Sequence, residues 1–157
     1  LDIGAGLGFE AMYFQRKYGT RVWIIDGDSK TNSTPQTRYS GYGESSTYAF
    51  WWSKASLETH YAKNGLVCCF KEPRDSTDDM PRFDLVLSIG ACGMHFPVSE
   101  YRDTIKRHTH NSSRIVLELS RSADLDHAKQ GIWVDTLIHP KPHSRVAYVS
   151  LGPLKLI

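Results

Sequence analysis

Two spacings of apolar residues alternate along the chain. Short apolar runs read as strands at residues 1–3, 21–25, 66–70, 83–89, 114–119 and 145–151. Between them lie helical patterns at residues 9–18, 46–64 and 97–110, and a shorter one at 122–130. In the first helix Phe9, Met12, Tyr13 and Phe14 crowd one side, and Gly19 is the stop. In the second, Phe50, Lys54, Leu57 and Tyr61 recur at helical spacing before the stop Asn64-Gly65. Pro97 suits the first position of the third. Residues 83–89 form the continuous apolar run expected of a buried parallel strand. Residues 132–139 fit either period. Residues 29–45 are polar and rich in Ser, Thr, Gly and Tyr, which reads as a long loop of the kind that serves as a lid or binding loop.

This order of strands and helices predicts an α/β domain: a doubly wound, mostly parallel sheet with right-handed crossovers. Sheets of this kind bind ligands outside the carboxyl ends of their strands. The expected site therefore gathers residues 4–8, 26–28, 71–75 and 90–96.

Composition narrows the class further. A length of 157 residues suits one domain, and 40% hydrophobic with 23% charged residues is ordinary for a globular core. The net charge of +2 carries no concentrated basic footprint, so a nucleic-acid partner is not expected. Lys106-Arg107-His108 reads as the C-terminal end of a helix, where cations suit the helix dipole. Cys68, Cys69 and Cys92 form no Cys-x-x-Cys pair and no zinc spacing, so no metal site is expected. Free thiols and the lack of a signal peptide or membrane-length apolar run suggest a cytoplasmic protein with no membrane contact. The chain opens at Leu1-Asp2-Ile3-Gly4, as if inside a strand. Residues 1–157 are thus expected to be a core domain truncated at its N-terminus. The oligomeric state is not legible.

The chemistry concentrates in Leu1-Asp2-Ile3-Gly4-Ala5-Gly6-Leu7-Gly8-Phe9-Glu10. Three alternating glycines follow a strand and open a helix. Glycine tolerates positive φ and lets a ligand approach the backbone. A dinucleotide fingerprint, Gly-x-Gly-x-x-Gly, would place its third glycine at position 9, which is Phe9. Glu10, near the helix N-terminus, would also repel a pyrophosphate.

An acidic residue followed by Gly-x-Gly-x-Gly resembles motif I of class I S-adenosylmethionine-dependent methyltransferases, whose fold is Rossmann-like. The resemblance implies S-adenosylmethionine as cofactor. It implies that Gly4, Ala5, Gly6 and Gly8 shape the cofactor turn and that Asp2 serves the cofactor's amino-acid end. Asp26, ending the second strand before Gly27, would accept hydrogen bonds from ribose hydroxyls. Glu72 and Asp75 are the candidates near adenine. Phe83-Asp84 resembles the start of the family's fourth strand, which would bring Ile89 and Gly90 beside the transferred methyl.

Amino-methyltransferases of nucleic acids carry Asn/Asp-Pro-Pro-aromatic at that strand end, whereas this chain has Ile89-Gly90-Ala91-Cys92-Gly93. A small-molecule acceptor, methylated on oxygen, is the expectation. His95 is then the candidate base for a hydroxyl proton. Tyr39, Tyr42, Phe50, Trp51 and Trp52 form an aromatic cluster that suits either a pocket or the core. Two rival readings are a nicotinamide-dependent oxidoreductase and a non-catalytic methyltransferase-fold subunit of a complex.

Overall fold

The computed structural model describes residues 1–27, 36–39, 45–48, 52–73, 75–89, 91, 98–119, 134–138 and 147–151. In chain order the elements are β1 (Asp2–Ile3), α1 (Phe9–Tyr18), β2 (Trp23–Ile25), β3 (Gln36–Tyr39), β4 (Ser45–Tyr48) and α2 (Lys54–Lys63). They continue with β5 (Cys69–Lys71), β6 (Phe83–Ser88), α3 (Val98–Arg107), β7 (Thr109–Leu119), β8 (Val134–Ile138) and β9 (Ala147–Leu151).

Seven strands form one sheet in the order β5-β2-β1-β6-β7-β9-β8. Pairing is parallel from β5 through β7. Strand β9 runs antiparallel to both β7 and β8. The sheet is thus the mostly parallel, doubly wound type expected. From β1 the chain winds outward through β2 to β5, then returns to the other side of β1 and winds through β6 to β7. The two directions part between β1 and β6, and the carboxyl ends of those strands form the crevice where such folds bind ligands.

The sheet's centre is its driest part: Ile3, Ile24, Val86 and Leu117 are all fully buried. Ala11 and Met12 of α1 pack with Leu57 and Tyr61 of α2 against Val22 and Ile24. Burying a side chain such as Leu57 contributes roughly 1.5–3 kcal/mol. Helix α1 does turn Ala11 and Met12 inward, but Phe9 and Tyr13 are largely exposed, against the expectation that they share the buried side. Among the described side chains of α3, Tyr101 and Ile105 are buried.

Two regions depart further from the sequence reading. The polar stretch 29–45 contains β3, and β3 pairs with β4 as an antiparallel two-stranded sheet of its own. Neither strand carries an apolar face, so the alternation that marks a half-buried strand is lacking. The second helix accordingly begins at Lys54 and not near residue 46. Ser53 starts it: its hydroxyl accepts the Ser56 N–H at 3.1 Å, the usual device for an orphan donor of a first turn. At the ambiguous 132–139 segment, residues 134–138 are a strand. The segment 122–130 lies outside the described residues. Among those residues, no helix is long and apolar enough to cross a membrane.

Candidate functional site

The glycine turn is built by backbone constraint. Gly4, Gly6 and Gly8 have φ of +70°, +58° and +69°, a region costly for any residue with a Cβ. Two of these glycines are also needed for space. A Cβ on Gly4 would collide with that of Ala91, just past β6. One on Gly8 would come within 2.8 Å of the Tyr61 hydroxyl. The turn closes on itself, with the Gly8 N–H donating to Ala5 O at 2.7 Å, and Ala5 packs on the core below. Its start is tied to β2 by the Gly4 N–H donating to Ile25 O at 2.7 Å. Tyr61 supports the far end, its hydroxyl donating to Gly8 O at 3.2 Å.

Asp26 binds the two halves of the site together. One carboxylate oxygen accepts the Gly6 N–H and the other the Gly27 N–H, both at 2.7 Å. The carboxylate at the end of β2 therefore braces the middle of the turn. Asp26 N–H itself donates to Lys71 O at 3.1 Å, which sets the end of β5 beside it.

That neighbour is Glu72, half-buried at the mouth of β5. Asp75 is exposed, and its carboxylate accepts the Glu72 backbone N–H at 2.8 Å, closing a small turn. Of the two, Glu72 stands next to Asp26, while Asp75 shapes the loop behind it. Across the crevice, Ile89 follows β6 and is partly buried. Ser88 before it is fully buried, and its hydroxyl is committed to Ile3 O at 2.8 Å. Gly90, His95, Phe50, Trp51, Tyr42 and Cys92 lie outside the described residues, and Tyr39 is described in its backbone only.

Asp2 is the electrostatic centre of the site. It is 4% exposed, and its Oδ2 has no hydrogen-bond partner. Burial pushes its carboxyl up to about 7, and the nearby charges of Glu10 and Asp26 push the same way. Three carboxyl groups thus surround one turn, an arrangement that favours a cationic ligand group and disfavours phosphate. Among the described residues, no group of His, Cys, Asp and Glu could hold a metal ion.

Of three further participants, Ala91 falls in the expected 90–96 stretch and Trp52 in the aromatic cluster, and Tyr61 reads in the sequence only as a helix residue. Ala91 and Tyr61 enter through contacts across the fold with Gly4 and Gly8, and single positions carry no sign of such contacts. Trp52, flagged only within an aromatic cluster, lies against Gly6 with its ring 3.7 Å from where a Cβ would stand. A cavity of about 320 Å³ lies at the amino end of the strands, between residues 22–23 and 83–85, and Asp2 contributes to its lining. It is at the wrong end of the sheet for the glycine turn, and the strand-end rule favours the turn.

No protein-family model matches the sequence, and no curated protein matches it. The fold, by contrast, is shared with solved methyltransferases. A S-adenosylmethionine-dependent methyltransferase from Clostridium acetobutylicum aligns with a TM-score of 0.67 at 8% identity, over 97% of this chain and 82% of that one. A precorrin-6y C5,15-methyltransferase from Geobacter metallireducens aligns at 0.60 and 18% identity, over 97% and 78%. A ribosomal protein L11 methylase from Lactobacillus delbrueckii aligns at 0.60 and 14% identity, over 97% and 68%. The chain has the Rossmann-like fold of class I methyltransferases. The names of these similar proteins span a protein and a small-molecule acceptor, so the fold does not choose between acceptors.

Proposed function

We propose that this chain is a S-adenosylmethionine-dependent methyltransferase that methylates a hydroxyl group of a small molecule. The observation that carries the reading is the glycine turn, folded through three positive-φ glycines and braced by Asp26 through the Gly6 and Gly27 N–H groups. The residues present fit the cofactor. Gly4, Gly6 and Gly8 hold the turn at positive φ, and the unpartnered Oδ2 of Asp2 suits an ammonium group.

In this reading Asp2 serves the cofactor's amino-acid end, Asp26 beside Gly27 the ribose, and Glu72 the adenine side. Ala5 is part of the turn, and Ile89 and Gly90 serve the side of the transferred methyl. When bound, S-adenosylmethionine supplies a sulfonium methyl that is already strongly electrophilic. The chain's own task is to hold the acceptor oxygen in line with that methyl and to exclude water. His95 takes the hydroxyl proton. The Ile89-Gly90-Ala91-Cys92-Gly93 text, which lacks the Asn/Asp-Pro-Pro-aromatic pattern, supports an acceptor other than a nucleic-acid amino group.

Isothermal titration of S-adenosylmethionine and S-adenosylhomocysteine, with NAD as control, tests the proposal. Binding of the first two in the micromolar range and none of NAD is expected. Binding of NAD alone, or of none of the three, would overturn it. Asp26→Ala should weaken cofactor binding by about 1.5–3 kcal/mol, as for hydrogen bonds to a charged group. An unchanged affinity would remove Asp26 from the site.

A further inference from the structure

Trp52 stands where the core does not need it. The residues beneath it are anchored independently: Leu57 and Tyr61 are buried, Tyr61 holds Gly8 O, and Ser53 caps the helix. Trp52, one residue before that cap, is carried onto the glycine turn by this anchoring. From the position of a Cβ on Gly6, the indole Cδ1 is 3.7 Å away and Nε1 3.9 Å, ordinary van der Waals contact. The same side chain is 46% exposed, so much of a large ring lies open beside the turn. Gly6 is the glycine whose N–H is held by Asp26, so the ring and the carboxylate meet at one residue. Glu10, in the first turn of α1, and Asp26 both act electrostatically on buried Asp2, so three acidic groups gather at the turn that Trp52 touches. An electron-rich ring face beside carboxylates attracts a cation.

We propose that Trp52 is a wall of the ligand site at the glycine turn, and that its indole selects a ligand with positive charge at its centre. The inference rests on the cofactor reading above. It predicts that the sulfonium S-adenosylmethionine depends on Trp52 more than the thioether S-adenosylhomocysteine does. The two ligands share adenosine and amino-acid ends and differ in the methyl group and the charge at sulfur, so their comparison isolates that feature.

The test is isothermal titration of both ligands into the full chain as wild type, Trp52→Phe and Trp52→Ala, with thermal unfolding to verify that each variant is folded. Trp52→Ala should lose roughly tenfold in affinity for S-adenosylmethionine and no more than about twofold for S-adenosylhomocysteine, within the range of a partly desolvated cation–π contact. Trp52→Phe, which keeps a ring, should recover part of the difference. Equal losses for the two ligands, or no loss for either, would overturn the role of Trp52 while leaving the cofactor reading intact. If the wild type binds neither ligand, the cofactor reading falls and this inference falls with it.

Discussion

The sharpest prediction concerns Asp2. Its carboxyl is buried, lacks a partner at Oδ2, and is raised from 3.8 to about 7 by burial first and then by the charge of Glu10. A carboxyl raised in this way holds its proton more tightly in the folded chain than in the unfolded one. The stability this confers is complete below the unfolded value, near 4. It is lost as pH climbs through the window up to about 7, because the unfolded chain ionises freely while the folded chain ionises at a cost. The full difference corresponds to about 4 kcal/mol. Between about pH 4.5 and pH 8 the wild type should therefore lose about 3 kcal/mol that Asp2→Asn does not lose. With a urea dependence near 2 kcal/mol per molar, the gap between the two midpoints should change by about 1.5 M across that pH range.

Urea unfolding of both proteins at the two pH values measures this directly. Comparing differences across pH removes any change in packing or hydrogen bonding that the amide introduces equally at both. A gap that stays within about 0.5 kcal/mol, the usual scatter of such comparisons, would refute the burial argument. The same group predicts a binding signature. A cationic ligand end beside Asp2 should draw it into the ionised form, so S-adenosylmethionine should release a proton near pH 6 and almost none near pH 8.5. Titrations in buffers of different ionisation enthalpy read that proton. Asp2→Asn should abolish the release and weaken binding while the fold gains stability at neutral pH, a trade-off expected of a functional group held against its own comfort.

Two further predictions address the frame of the site. Gly8→Ala places a Cβ at positive φ and 2.8 Å from the Tyr61 hydroxyl, and should cost about 2–3 kcal/mol from backbone strain plus the strained Tyr61–Gly8 contact. In a Tyr61→Phe background the penalty should shrink by about 1 kcal/mol; a fully additive double-mutant cycle would show that the contact is not the cause. Ser53→Ala removes the α2 cap and should lower stability by about 1 kcal/mol in urea unfolding, and an unchanged midpoint would remove the cap from the account.

What the sequence made legible follows from how local each constraint is. Gly4, Gly6 and Gly8 could be read because their backbone angles almost demand glycine, so the residue type itself reports the geometry. The parallel strands could be read because burial on both faces leaves apolar runs, as at residues 85–87 of β6. Strand direction leaves no such trace, and the reversal of β9 was not foreseen. The β3–β4 hairpin was missed for a related reason, since its polar residues write no buried face. At the site, Asp26 was legible as an acid at a strand end. That its oxygens hold Gly6 and Gly27 depends on how β2 lies against the turn.

Ala91 and Trp52 are the extreme cases, because each matters only through a glycine remote from it in sequence. Yet contacts across the fold explain two of the three glycines more fully than the fingerprint does. Gly4 must be bare because Ala91 crosses it and Gly8 because a Cβ would come within 2.8 Å of the Tyr61 hydroxyl, whereas at Gly6 a Cβ would meet Trp52 only in ordinary van der Waals contact and the positive φ is the demand. The fingerprint thus records two demands at once, the turn's own backbone angles and, at Gly4 and Gly8, the close approach of Ala91 just past β6 and of Tyr61 in α2. A substitution at Gly6 should accordingly act through the turn's backbone angle, whereas one at Gly4 or Gly8 also meets Ala91 or Tyr61, residues far away in sequence.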